Sequence, residues 1–437
     1  MNKVFCVISF ISLFLSCESS KVRQIINDQK AIDNLLDEHV NNGSYPFLYA
    51  RIENIDGTIL YEHSVVNHRL LPDIEVNGDT WIRIWSMSKI VTISILMDLV
   101  EDGMVDLNDP VIKYIPEFSN LKVAESSDGK SLSMFTQADT FSKASDKQLD
   151  LACPIQLVEP DSIMRVHHLI NHRAGFYYAN TTISCLDSIS VEADLSMVAN
   201  SDSLINRLSN MPLIHHPGER YHYGLNTTVL GLVAERASSK TLDELVNDRI
   251  ATPCGIEGFQ YKISEDIQLI PTFTGRDGTL RRAVSGELDI MGANVPMYDK
   301  DQRVYFGGEG MVATSDGYAD FLRLWLGYGK LNNHRFLDKT TLKSMISSID
   351  RKDGYGISTK YGVYITGDST LSQGKGDKGL WQGGGYEGTS FWIDPKRKFV
   401  GLLMTQVNQS PDHVGLGSGL YDKFRGLIYK QIFDREI

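Results

Sequence analysis

From Ser86 to Val100 the chain is apolar on almost every side, and Glu101-Asp102-Gly103 closes the run. A helix that is hydrophobic all round has to be buried, and a glycine just past its last turn is a common exit. The fold must therefore wrap enough structure around this segment to cover every face. At 437 residues the chain exceeds the size of a single core, so we expect two lobes sharing a cleft, or one large domain with a helical insertion. One residue in the run is out of place. Lys89 puts an ammonium into this helix, where an unpaired charge is expensive. Either it has a buried partner or a chemical task, or it snorkels from a helix less buried than its composition suggests.

Ser86-Met87-Ser88-Lys89 sets a hydroxyl and an amine at i and i+3, on one helix face and close enough to exchange a proton. A serine hydroxyl is a poor nucleophile until a base takes its proton, and a lysine can serve if burial lowers its pKa. The spacing alone carries little weight, because Ser119/Lys122, Ser127/Lys130 and Ser372/Lys375 share it. Position distinguishes Ser86, since a helix start offers backbone N–H groups and a positive dipole end to a developing oxyanion. Ser88 is the rival nucleophile but points to another face.

The remaining pattern is mixed. Residues 22–41 have helical spacing and stop at Asn41-Asn42-Gly43. Pro46 to Ile52 and Thr58 to Tyr61 flank Asp56-Gly57, a hairpin signal. Helices are expected over Thr227 to Arg236 and Tyr318 to Leu326. Thr389 to Trp392 and Phe399 to Gln406 read as strands around a turn at Asp394-Pro395-Lys396-Arg397. Residues 119–150 are polar and read as a long surface excursion. The order predicts an α+β fold in which N- and C-terminal strands share one sheet.

An apolar fraction of 42% and a charged fraction of 22% fit a folded globular body. A net charge of -12 without a basic run argues against nucleic acid as a partner. Lys3 followed by an apolar run from Val4 to Leu15 reads as an export segment, shorter than the roughly 20 residues of a spanning helix. Cys153, Cys185 and Cys254 form no CxxC and no disulfide framework, and each is expected to be a small buried apolar residue. His168 and His172 have the i, i+4 spacing of a metal pair but lack the glutamate that metalloproteases place after the first histidine, so no metal is expected. His215, His216 and His222 flank Tyr223; one of them lines the cleft, or all are structural. No G-x-S-x-G elbow occurs in the chain.

Several ordered blocks resemble the β-lactamase-related serine hydrolases, a family that includes class C β-lactamases, D-amino-acid-specific peptidases and related esterases. They are Trp81 to Phe118 with Ser86-Met87-Ser88-Lys89, Arg165 to Gly175, Pro217 to Leu225, Gly307 to Val312 and Gly383 to Gln406. The resemblance covers nearly everything after residue 30. It implies a β-lactamase/transpeptidase-like fold, a mixed antiparallel sheet flanked by helices with an inserted helical lobe. The sheet lobe would take about 22–85 and 300–437, and the helical lobe about 86–299. It also implies that a tyrosine meets the serine and lysine, and Tyr223 matches that position, with Tyr221 the alternative. The family's Tyr-x-Asn motif reads Tyr223-Gly224-Leu225 here, and Asn226 stands one place late, which leaves the amide's usual role open. The third motif falls on Gly383-Gly384-Gly385, whose first residue has lost its side chain. By resemblance the N–H groups of Ser86 and Tyr386 form the oxyanion hole, the glycines let substrate approach the strand, and Trp381 supplies an apolar wall. Lys375 or Lys378 stands in for the missing cation, or the segment is simply a loop. Leu13-Phe14-Leu15-Ser16-Cys17 resembles a lipoprotein cleavage box, which implies lipidation at Cys17, with plain secretion the alternative.

These readings converge on an exported serine hydrolase, in the periplasm or cell envelope, that cleaves carboxylic esters or related acyl compounds through acyl-Ser86. Two rivals remain at this point: hydrolysis of β-lactams or D-amino-acid peptides, and a catalytically silent binding protein. No cofactor is implied. The expected partner is a small ester, amide or β-lactam, with membrane contact only through the lipid anchor.

Overall fold

The computed structural model describes residues 29–132, 152–264, 267–275, 277–284, 287, 303–353, 356–367, 378–408 and 419–433. The export segment with Cys17 lies outside them, as does Lys375. The first helix, α1 (Gln29–Asn41), buries Ile32, Leu36 and Val40 along one stripe. It leads into β1 (Phe47–Asn54) and β2 (Ile59–Val66). Asp56-Gly57 makes the turn between them because Asn54 Oδ1 accepts the N–H groups of Asp56 and Thr58 (3.1 and 2.9 Å), while Gly57 takes a φ of +87°.

Six further strands come from the C-terminal third: β3 (Ile349–Asp353), β4 (Gly356–Thr359), β5 (Tyr364–Ile365), β6 (Trp381–Gly384), β7 (Ser390–Asp394) and β8 (Phe399–Met404). They join the first two in one sheet of order β3-β4-β5-β6-β7-β8-β1-β2, antiparallel throughout. The chain's two ends thus meet where β1 pairs β8, with Tyr49 opposite Met404. The α+β expectation holds.

The sheet is covered on both faces. On one, Trp392 packs edge-on against Tyr421 and Phe424 of the C-terminal helix (Gly419–Phe433). On the other, Phe391 meets Tyr318 of the helix Ser315–Leu326, whose first turn is capped by Thr314 Oγ1 accepting from Gly317 N (3.0 Å). Alternation along β7 sends its two aromatics to opposite sides.

The apolar run forms α2 (Ser88–Glu101), with Ser88 to Leu99 all buried and Gly103 at φ +71° beyond it. Helix α3 (Asn226–Ser238) packs against it. The hydroxyls within α2 are satisfied internally: Thr92 donates to Gly307 O (2.6 Å) and Ser94 to Ile90 O (2.6 Å).

Two expectations need correction. Cys153 and Cys185 are joined in a disulfide, with Cα atoms 6.1 Å apart, whereas Cys254 is buried and free as expected. Scattered spacing hid the pair, because the folding of residues 152–185 brings the two together. The segment 119–150 is also less superficial than its polarity suggests. Val123, Ala124 and Leu132 are fully buried, strand Val123–Ser126 pairs with Ile155–Val158, and Ala124 N donates to Leu213 O (2.8 Å). Three apolar positions in a polar stretch anchored its start; residues 133–151 lie outside the described residues.

Candidate active site

The chain enters α2 through a short 3-10 turn, Trp85–Met87, and Ser86 sits in that turn, half-buried. Trp85 takes a left-handed φ of +48°, which costs a non-glycine residue roughly 1–2 kcal/mol. Its neighbours hold it there. The indole Nε1 donates to Glu387 Oε2 (2.6 Å), and the Tyr386 ring packs edge-on at 5.4 Å. Burial raises the Glu387 carboxyl above its ordinary range, although Arg83 and its donors oppose the rise. Behind the turn, Ile82–Arg83 pairs with Val312–Ala313, and Ile84 N donates to Met311 O (3.2 Å). That stitching brings the glycine-rich block Gly307 to Gly310 against α2.

Ser86 Oγ receives two hydrogen bonds, from Lys89 Nζ (3.0 Å) and Tyr223 OH (2.8 Å). Residues 137 positions apart thus meet on one oxygen. Ser88, the rival nucleophile, is fully buried and accepts from Met311 N (3.1 Å), so it braces the neighbouring strand. Tyr221, the rival tyrosine, is turned away: its hydroxyl meets Tyr364 OH (3.2 Å) and its ring lies 3.3 Å beneath the Arg351 guanidinium.

Lys89 also donates to Gly308 O (2.8 Å) and Tyr178 OH (3.1 Å), and it pairs with Glu309 Oε1 at 3.3 Å. Tyr178 OH and Thr228 Oγ1 both donate to the Glu309 carboxylate. A pKa lowered by burial, the condition under which a lysine serves as base, is not what these neighbours produce. Burial does disfavour the ammonium, but its interactions with Tyr223 and Glu309 outweigh that cost, and Lys89 holds its proton above the ordinary lysine range. Tyr178 is pushed the other way from reactivity: burial, then Glu309, raises its hydroxyl well above the usual tyrosine range.

Glu309 and Tyr178 were missed from sequence. Glu309 is the only acid in Phe306-Gly307-Gly308-Glu309-Gly310-Met311-Val312-Ala313, and a lone charge in an apolar glycine-rich block was the available signal. Asn226 finds its role as a brace. Its amide accepts from Ala174 N (3.2 Å) and donates to Phe176 O (3.0 Å) and His222 O (3.4 Å), tying together the loops that carry Tyr178 and Tyr223.

The third motif runs along β6. A Cβ on Gly385 would lie 2.5 Å from Ile84 O, so a glycine is required for the strand end to lie against the Ser86 turn. A Cβ on Gly383 would lie 2.6 Å from the Phe391 ring, so sheet packing accounts for that glycine too. Gly384 follows, half-buried, as the last residue of the strand. Trp381 does not wall the cleft: with 3% of its surface exposed, it packs against Trp325 and Tyr328 in the core. It shares the sheet face of Gly383 because residues two apart in a strand point the same way. Lys378 is exposed.

The histidines act as structure. His168 Nδ1 accepts from Arg165 N (3.2 Å), closing the start of a short helix. His172 is buried, with its ring 4.7 Å from that of Tyr223, and accepts from Gly224 N through Nδ1 (3.4 Å). His216 turns outward to Glu125 and Asp161, while His215 and His222 are buried beside one another. Burial lowers His222 to about 3 and His168 to about 4, the latter helped by His167 and nearby arginines. Both stay neutral in the fold but protonate when unfolded, below an ordinary pKa of 6.5. Their stabilising effect is therefore complete above pH 6.5 and is lost as the pH falls toward their folded values. The denaturant midpoint is expected to drop across that window, and His222→Gln to flatten the drop; an unchanged slope in the variant would count against it.

The family model for β-lactamase matches residues 53–418. Protein Rv1367c of Mycobacterium tuberculosis is 25% identical over 276 residues, 62% of this chain and 60% of that protein. The match thus spans about three fifths of the length of this relative. Esterase EstB of Burkholderia gladioli is 24% identical over 368 residues, 80% of this chain and 82% of the esterase. Among solved structures, EstCE1, described as a hydrolase with promiscuous acyltransferase activity, superposes with a TM-score of 0.71 at 18% identity, covering 92% of this chain and 98% of EstCE1. With a family match over most of its length and the same fold, this chain belongs to the β-lactamase family.

Proposed function

We propose that this protein is an exported serine hydrolase that cleaves carboxylic esters through an acyl-Ser86 intermediate. The observation that carries the reading is the convergence of Lys89 Nζ and Tyr223 OH on Ser86 Oγ. A hydroxyl held by two proton-handling groups is the arrangement an activated nucleophile needs. With one proton already lost from the Lys89/Tyr223 pair, Ser86 Oγ attacks the ester carbonyl as its own proton fills that vacancy. The tetrahedral oxyanion sits on the N–H groups of Ser86 and Tyr386. The same proton goes to the leaving alkoxide as the C–O bond breaks. Water then attacks the acyl group, giving its proton to the pair, which returns it to Ser86 as the acid departs. The close approach of Gly385 to Ile84 O and the Trp85–Tyr386 contact support that oxyanion site.

Two observations favour an uncharged ester. Position 383 has no side chain and the Phe391 ring fills the space of its Cβ, which leaves no cation there for a substrate carboxylate. The name of EstB points the same way. A second reading, hydrolysis of β-lactams or D-amino-acid peptides, draws on the Arg351 cation stacked on Tyr221, two residues from Tyr223. Export, with lipidation at Cys17, rests on the apolar run Val4 to Leu15; the Cys153–Cys185 disulfide suits an oxidising compartment.

The test is to offer the mature protein p-nitrophenyl esters, a cephalosporin and a fluorophosphonate, and to follow turnover together with intact mass. Ester turnover well above cephalosporin turnover, with a single fluorophosphonate adduct, is the expected result. A preference for the cephalosporin would select the second reading. Inertness of a folded sample to all three would sink both in favour of a silent binding protein.

A further inference from the structure

Glu309 is the charge that the mechanism above leaves unused. Its side chain has no exposed surface, and it comes from the loop pressed against α2, where a Cβ on Gly308 would lie 3.3 Å from Lys89 Nζ. Burying a carboxylate this deeply is tolerable only beside a positive charge and several donors. Lys89, Tyr178 and Thr228 supply them. Lys89 is thereby placed between two groups that compete for it: the Glu309 carboxylate on one side and the Ser86–Tyr223 hydroxyl pair on the other.

We propose that Glu309 is a positioning residue that sets the pH at which Ser86 acquires its base, by setting its carboxylate against Lys89. The inference rests on the reading of Ser86 as nucleophile. Its sign does not depend on which partner takes the proton. If the amine of Lys89 accepts it, the nearby carboxylate stabilises the ammonium and delays the appearance of free amine to higher pH. If a Tyr223 phenolate accepts it, the same carboxylate disfavours that anion and again moves the base to higher pH. In either route the Ser86 proton moves as the Oγ–C bond forms and returns to the leaving alkoxide, so no co-reactant is needed.

Among the described residues, the other ionisable groups around the cluster are phenols, histidines and the Arg351 guanidinium. Tyr178 bonds both Lys89 and Glu309, Tyr261 bonds Thr92, which in turn donates to Gly307 O, and His172 packs on Tyr223. Tyr221 and Arg351 lie beyond His172, where the guanidinium opposes any further positive charge. Among the described residues in contact with Lys89, Glu309 is the only carboxylate.

The experiment is the pH dependence of the fluorophosphonate labelling rate at Ser86, read by intact mass from about pH 5 to 12 so that a late parental rise is covered, in the parent, Glu309→Gln and Glu309→Asp. Glu309→Gln is expected to move the midpoint of the rise down by roughly 1–3 pH units, the range for an opposite charge at this distance. Glu309→Asp, which keeps the charge, is expected to stay near the parental midpoint even if its rate falls. A Gln variant that is slower at every pH with the parental midpoint overturns the proposal and leaves Glu309 as scaffold. Should Glu309→Gln not fold, Glu309→Ala makes the same change of charge with less crowding and is read the same way. Labelling of the parent that survives Ser86→Ala defeats the nucleophile reading itself, an outcome distinct from an unmoved midpoint.

Discussion

Ser86→Ala is expected to abolish fluorophosphonate labelling and to lower ester turnover by on the order of 10⁴-fold or more, with the fold unchanged. The size follows from the route. Without Oγ no acyl-enzyme forms, and what remains is whatever the oxyanion site and substrate binding contribute to attack by water. The intact fold follows from the contacts. Ser86 is half-buried, and its loss leaves Lys89 three acceptors: Gly308 O, Tyr178 OH and Glu309. Intact mass and initial rates check the first part, and thermal unfolding checks the second. An adduct that persists in a folded Ser86→Ala sample places the nucleophile elsewhere.

Lys89→Met combines two losses that most active-site substitutions keep apart. Activity falls because Ser86 loses a proton-handling partner. Stability falls as well, by about 3–5 kcal/mol, because removing one member of a buried ion pair leaves the other uncompensated. The Glu309 side chain, with no exposed surface, then keeps the Tyr178 and Thr228 hydroxyls but loses its cation. Lys89→Met/Glu309→Gln is expected to regain most of the stability and none of the activity, since no buried charge remains to be matched. Urea midpoints of the four proteins decide the matter, and a single Lys89→Met variant as stable as the parent would refute the argument. The sign with pH is fixed too. Because the folded pKa of Lys89 lies above its ordinary value, the pair's contribution is present at neutral pH and is lost only as strong alkali removes the proton.

Much of the frame was legible before any coordinates. Asp56-Gly57 between two apolar runs specified the first hairpin, because few dipeptides accept the backbone of a tight turn. The all-apolar stretch after Ser86 specified a buried helix. Helix ends moved by one to three residues: α3 begins at Asn226, and the helix expected from Tyr318 begins three residues earlier at Ser315, since Thr314 caps it there. At the site, Ser86 and Lys89 were readable because one helix turn separates them. Tyr223 was reached only through the family's motif, with Tyr221 as a competitor that spacing could not dismiss.

Local sequence by itself determined what local physics controls. The hairpin, the helix around Lys89, and the demand that this lysine find a partner all follow from periodicity, turn chemistry and the expense of a buried charge. Tertiary structure alone decided the rest, because it depends on which distant segments meet. It brought Glu309 to Lys89 across 220 positions and so helped to raise that lysine's pKa against the effect of burial. It chose Tyr223 over Tyr221, turned Trp381 into the core, and closed Cys153 onto Cys185. A side chain's type limits the chemistry it can perform, but its charge state and direction are set by neighbours that only the folded chain supplies.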